Sequence, residues 1–276
     1  MKNLKGTFIL LLAAFIWGTA FVAQTSAGDN IGAFTFNACR NIIGALFLFI
    51  VIAILDMRKY SDRYDNPSEN NYNIYKKNYI INKKDYLTDA NKWPIKGVIC
   101  GILLCIAMNL QQIGINTYPD GVAVSGRAGF LTATYVVMIA IVSVFMGQKL
   151  HKLTIIAAFV CIAGMYLLCI AGGINEIYVA DILELMCAVA FTIHMFTVDK
   201  YDKADGVKLS CIQFLTSGIL SGILMLIFDK ADINSIMKAI IPILYAGVMS
   251  SGIAYTFQII GQKYAKPSVT AIVLSL

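Results

Sequence analysis

The sequence predicts an all-α integral membrane fold assembled from two inverted five-helix repeats. Three observations predict it: a shortage of charge, a series of long apolar runs, and self-similarity between the two halves of the chain. Hydrophobic residues make up 58% of the 276 and charged residues 14%. A soluble domain carries roughly a quarter charged residues, so even a large core does not explain the deficit. The bilayer is the better ruler. Its hydrocarbon is about 30 Å thick, and at about 1.5 Å rise per residue a spanning helix needs about 20 apolar residues.

Eight runs meet that requirement in order along the chain: 7–27, 31–55, 95–117, 121–147, 153–173, 180–198, 208–228 and 239–261. They read as helices. Barrel strands would be segments of about ten residues with alternating polarity, and a helix satisfies its own backbone in hydrocarbon. The first run is followed by no small-residue cleavage site, which argues against a signal peptide. Between the second and third runs, residues 56–91 are rich in Asn, Tyr, Lys and Asp. This stretch reads as a flexible cytoplasmic insertion. All seven cysteines lie within apolar runs at spacings that suit neither a metal nor a disulfide framework, so they read as buried thiols.

Lysine and arginine set the expected orientation. With the N-terminus in the cytoplasm, 18 of the 22 basic residues fall on the cytoplasmic side. Two, Lys230 and Lys238, fall outside. Arg40 and Arg127 lie within helices. Acidic residues such as Asp29, Asp120, Glu176, Asp181 and Asp229 fall mainly outside. The net charge of +6 therefore describes membrane topology and gives no reason to expect nucleic acid.

The two halves resemble each other. Ile106–Gly114, reading IAMNLQQIG, matches Ile253–Gly261, reading IAYTFQIIG, at an offset of 147, and Val122 meets Val269 at the same offset. Ala14–Trp17 matches Ala188–Phe191 at an offset of 174, where Gly44 also meets Gly218. The two offsets differ by 27, which one insertion at 56–91 accounts for. Helices 1, 2 and 3 thus correspond to helices 6, 7 and 8. A repeat of five helices, an odd number, must enter the membrane from opposite sides in its two copies. This is the inverted topology of secondary transporters, whose substrate sites lie near the midplane between the halves. The expected units are 1–173 and an incomplete 178–276.

Several stretches are similar to the EamA family of the drug/metabolite transporter superfamily. They are Leu12–Phe21 (LAAFIWGTAF), Arg40 early in helix 2, Leu110–Gly114 (LQQIG), Ala128–Ala133 (AGFLTA) and Ala254–Gln258 (AYTFQ). The resemblance implies ten helices with both termini cytoplasmic, of which eight and the start of the ninth are present here. Only nine residues follow Pro267, about 13 Å of helix, so a C-terminally truncated chain is expected. Ala140 and Gln148 stand where the family has a proline and an acidic residue in helix 4. The function implied is secondary transport of a small organic solute, an amino acid or metabolite, as an exporter in the cell membrane. The alternative is a non-transporting sensor or assembly protein that kept the fold. No nucleophile elbow, zincin motif or intramembrane aspartate pair suggests an enzyme. The expected partners are a small-molecule substrate and membrane lipid, and a homodimer stays open. No cofactor, metal or nucleic acid is expected.

Nine residues are cavity candidates, each with a plainer alternative. Arg40 and Arg127 sit inside helices, where a guanidinium is costly and should face protein or water. Arg40 reads as an anion or carboxylate contact, or as a cap near the outer mouth. Arg127, flanked by Gly126 and Gly129, reads as a substrate or gating group, or as a side chain snorkelling to the interface. His194 is the intramembrane histidine, a proton carrier or a hydrogen-bonded structural group. Glu184 is about 15 Å along the helix from it, too far to be its partner. Tyr255 and Gln258 share a helical face, and Gln111 is the repeat mate of Gln258. Together with Asn109, these amides either line a cavity or tie helices together. Trp17 and Tyr135 supply aromatic walls or packing.

Overall fold

A computed structural model of the protein describes residues 2–64, 93–147, 152–169, 177–201, 205–230, 232–265 and 267–275, and the described residues are helical with short connections. Among the described residues, seven helical stretches are long and apolar enough to cross a membrane: Leu4–Gly28, Ala33–Arg58, Pro94–Thr117, Val124–Phe145, Val179–Lys200, Gly206–Phe228 and Ile240–Gln262. The remaining predicted run, 153–173, contains a shorter apolar stretch at Ile155–Gly164. Large apolar side chains such as Phe15, Phe145 and Leu226 are more than 70% exposed. Soluble proteins do not carry a continuous belt of this kind, and in hydrocarbon it carries no hydration penalty.

The elements are α1 (Lys2–Gly28), α2 (Ala33–Tyr64), α3 (Trp93–Thr117), α4 (Val124–Ala133), α5 (Tyr135–Phe145), α6 (Lys152–Cys169), α7 (Val179–Lys200), α8 (Gly206–Phe228), α9 (Ile233–Lys238), α10 (Ile240–Tyr245), a π-helical segment (Ala246–Ala254), α11 (Tyr255–Gln262) and α12 (Pro267–Leu274). Helix α2 runs nine residues into the stretch expected to be a flexible insertion. A helix already nucleated in its apolar part propagates cheaply, and Asp56 in that extension pairs with Lys208 at 3.5 Å. The rest of the insertion, 65–91, lies outside the described residues.

Two spans are interrupted, and both interruptions border the cavity described below. Between α4 and α5, Thr134 donates its hydroxyl to the Leu131 carbonyl at 2.6 Å and its N–H to the same oxygen at 3.1 Å. This takes the acceptor that would continue the α-ladder, so the fourth span breaks at Thr134 without a proline. In the last full span the nine residues Ala246–Ala254 widen into π-helix. Such bulges are common at functional sites, and this one carries Ser250 and Ser251 inward.

The most extensive packing joins α2 to α8, α3 to α7 and α3 to α8, with α2 against the π segment and α1 against the π segment and α11. Hydrocarbon gives helices no hydrophobic reason to associate, so small residues allow the close contact. Gly44 and Gly218, matched by the repeat, both sit at such crossings. A Cβ on Gly218 would lie 2.8 Å from Ile42 Cδ1 and 3.1 Å from the Ile42 nitrogen. Gly218→Val is therefore expected to destabilise by about 1–3 kcal/mol. Unfolding in mixed micelles checks this.

Candidate functional site

A cavity of about 550 Å³ opens among α1, α2, α3, α4, α5, α6, α7, the π segment, α11 and α12. It falls within the size range of small-molecule sites. Seven of the nine sequence candidates line it: Trp17, Arg40, Gln111, Tyr135, His194, Tyr255 and Gln258. Asn109 and Arg127 do not.

Tyr255 centres the aromatic wall. Its ring meets Trp17 edge-on at 4.7 Å between centroids, Phe214 at 5.2 Å and His194 at 6.4 Å. Edge-to-face pairs of this kind hold one another in register. On α1, Trp17, Phe21 and Gln24 all reach the cavity, as their shared helical face requires. Tyr135 donates to the Ala271 carbonyl at 3.4 Å, which links α5 to α12. Two buried polar atoms on the wall, Trp17 Nε1 and Gln258 Oε1, have no protein partner among the described residues. Buried polar atoms normally are partnered, so both are available to a solute. His194 Nε2 lies 3.1 Å from Gln213 Oε1, so the ring is tied to α8 as well as facing the cavity.

Gln111 begins a chain leading away from the cavity. Its amide donates to Thr132 Oγ1 at 3.1 Å, and the Thr132 hydroxyl donates to Glu184 Oε2 at 2.9 Å. Glu184 is fully buried, and its other oxygen has no protein partner among the described residues. Sequence reasoning weighed Glu184 only against His194 and so missed Thr132.

Arg127 is neither a cavity group nor a snorkelling one. Its Nε and Nη2 donate to Asp181 Oδ1 and Oδ2, both at 2.7 Å, and its guanidinium lies over the Tyr178 ring at 4.9 Å. Asp181 also accepts from the Tyr118 hydroxyl at 2.8 Å and the Tyr178 N–H at 2.9 Å. Burial, then the hydrogen bond to Asp181, hold the Tyr118 phenol above its ordinary ionisation range, so it stays a donor. Asp181 is buried in this clamp between α4 and α7.

Asn109 ties three helices. It donates to the Cys105 carbonyl at 2.8 Å and Ser221 Oγ at 2.9 Å, and accepts from Asn37 at 3.1 Å. Gln112 and Asn116 likewise bond each other, with Gln112 reaching the Gln24 carbonyl and Asn116 the Ile31 carbonyl. Of the polar residues on α3 singled out from the sequence, only Gln111 faces the cavity. Asn109→Leu is expected to cost about 1 kcal/mol of stability and to leave solute transport intact. Micellar unfolding and flux on the same preparation check it.

Comparison with known proteins agrees with this architecture. The model of the EamA-like transporter family matches residues 4–170 and 179–276. A protein of Archaeoglobus fulgidus described as an uncharacterized transporter is 25% identical over 280 residues, spanning all of this chain and 75% of that protein. A solved crystal structure shares the fold, with a TM-score of 0.67 over 98% of this chain and 83% of the other at 17% identity. The chain belongs to the EamA-like transporter family and is a multi-pass membrane transporter.

Proposed function

We propose that the protein is a secondary transporter that moves a small organic solute, an amino acid or metabolite, across the cytoplasmic membrane by alternating access. Export is the direction the family resemblance implies. The N-terminus lies in the cytoplasm, in keeping with the distribution of Lys and Arg. The two repeats rock about the cavity. The observation that carries this reading is a cavity lined from both halves, with α1, α2, α3, α4, α5 and α6 on one side and α7, the π segment, α11 and α12 on the other.

The packing supports the inverted repeat. Exchanging helices 1, 2 and 3 with 6, 7 and 8 maps the α2–α8 contact onto itself. The α3–α7 contact maps onto α1 against the π segment and α11, and α3–α8 maps onto α2 against the π segment. The α4–α7 contact maps onto α1–α12. A pseudo-two-fold axis relating the halves would give this pattern, which is in keeping with the inverted repeat.

Proteoliposomes holding the full chain test the reading. Saturable uptake or counterflow of at least one amino acid or organic metabolite is expected. Intact, oriented protein that moves none of a broad panel contradicts it.

A further inference from the structure

The helices hold two buried arginines in opposite electrostatic situations. Arg127 is neutralised by the two-point bond to Asp181. Arg40 is 2% exposed, lines the cavity, and forms no ion pair among the described residues. Its Nη1 donates to Gln24 Oε1 at 3.1 Å, its Nε lies 3.5 Å from Ser251 Oγ, and its guanidinium sits over the Phe36 ring at 5.4 Å. All three partners are neutral. The other buried carboxyl near the cavity, Glu184, is bonded to Thr132. Among the described residues, no Asp or Glu lines the cavity.

An unpaired guanidinium in this setting is costly, and an incoming anion removes the cost. Its planar fork matches a carboxylate in two-point geometry. The remaining wall is mostly apolar and aromatic, with Trp17, Phe21, Phe130 and Phe191. A solute bound here thus needs one negative group and an apolar body. The cavity offers no carboxylate to balance an ammonium, so a zwitterion would leave its cation unmatched.

Accepting the transporter reading of this cavity, we propose that its substrates are organic monocarboxylates with an aromatic or aliphatic body, their carboxylate held by Arg40. Gln24 orients the guanidinium from α1. Trp17 Nε1 and Gln258 Oε1 are available to a hydroxyl or carbonyl on the body.

Equilibrium binding to the purified full chain tests the proposal with three probes of similar shape: 4-phenylbutyrate, its amide 4-phenylbutanamide, and phenylalanine. The wild-type protein is expected to bind the carboxylate at least tenfold more tightly than the other two. Arg40→Gln should erase that preference, and Arg40→Lys should keep part of it. No binding of 4-phenylbutyrate, equal binding of the amide, tighter binding of phenylalanine, or a preference that survives in Arg40→Gln overturns the proposal. The wild-type comparison decides the matter even where a variant fails to fold. Flux on the same preparations separates the two readings. Carboxylate binding without transport overturns the transporter reading and leaves the anion site standing. Transport of phenylalanine or the amide with no carboxylate preference does the reverse.

Discussion

Asp181→Ala is expected to destabilise the protein by about 3–5 kcal/mol. The substitution removes the two-point carboxylate acceptor of Arg127, which is 7% exposed. It also removes the acceptor of the Tyr118 hydroxyl and of the Tyr178 N–H at the start of α7. The broken buried ion pair accounts for most of the loss, because the hydrogen bonds from Tyr118 and Tyr178 each contribute about 1 kcal/mol. Replacing both partners, as Arg127→Met with Asp181→Leu, should therefore recover most of the stability, since no charge is then stranded. Unfolding in mixed micelles, run as a double-mutant cycle, measures both effects. A single-mutant cost under about 1 kcal/mol would mean that the Arg127–Asp181 pair does not hold α4 to α7.

The helices were legible because hydrocarbon demands long apolar runs, but their ends were less so, since α2 continues to Tyr64 beyond its apolar part. The α1 face carrying Trp17, Phe21 and Gln24 was legible for the same reason, since helical periodicity alone brings those side chains together. Individual charges were harder. Asp181 lies at the end of an apolar run and resembles any interfacial acid, while its partner is 54 residues upstream on another helix. No local pattern joins them. Amides were ambiguous for a related reason. Asn109 and Gln111 are two residues apart and point to different sides of α3, one to Ser221 and one to Thr132. Which side faced the cavity depended on where α7 and α8 packed. The break at Thr134 was also hidden, because a threonine that bonds back to its own helix leaves no mark as plain as a proline.

The cavity can be filled without disturbing the packing. Gly18 on α1 and Gly126 on α4 both line it, and a Cβ at either position would meet nothing within 4 Å. Leucine at these sites should project into the space a solute occupies. It should cost no stability, because replacing a glycine within a helix favours the helix by several tenths of a kcal/mol. Gly222 on α8 is the matched control, equally unobstructed but away from the cavity.

Counterflow of a solute carried by the wild-type protein, measured in proteoliposomes of Gly18→Leu, Gly126→Leu and Gly222→Leu, tests most directly whether this cavity is the transport site. Flux should fall at least tenfold for the first two and remain at the wild-type level for the third, with all three unfolding at or above the wild-type midpoint. Wild-type flux through Gly18→Leu and Gly126→Leu would place the transport path elsewhere in the molecule.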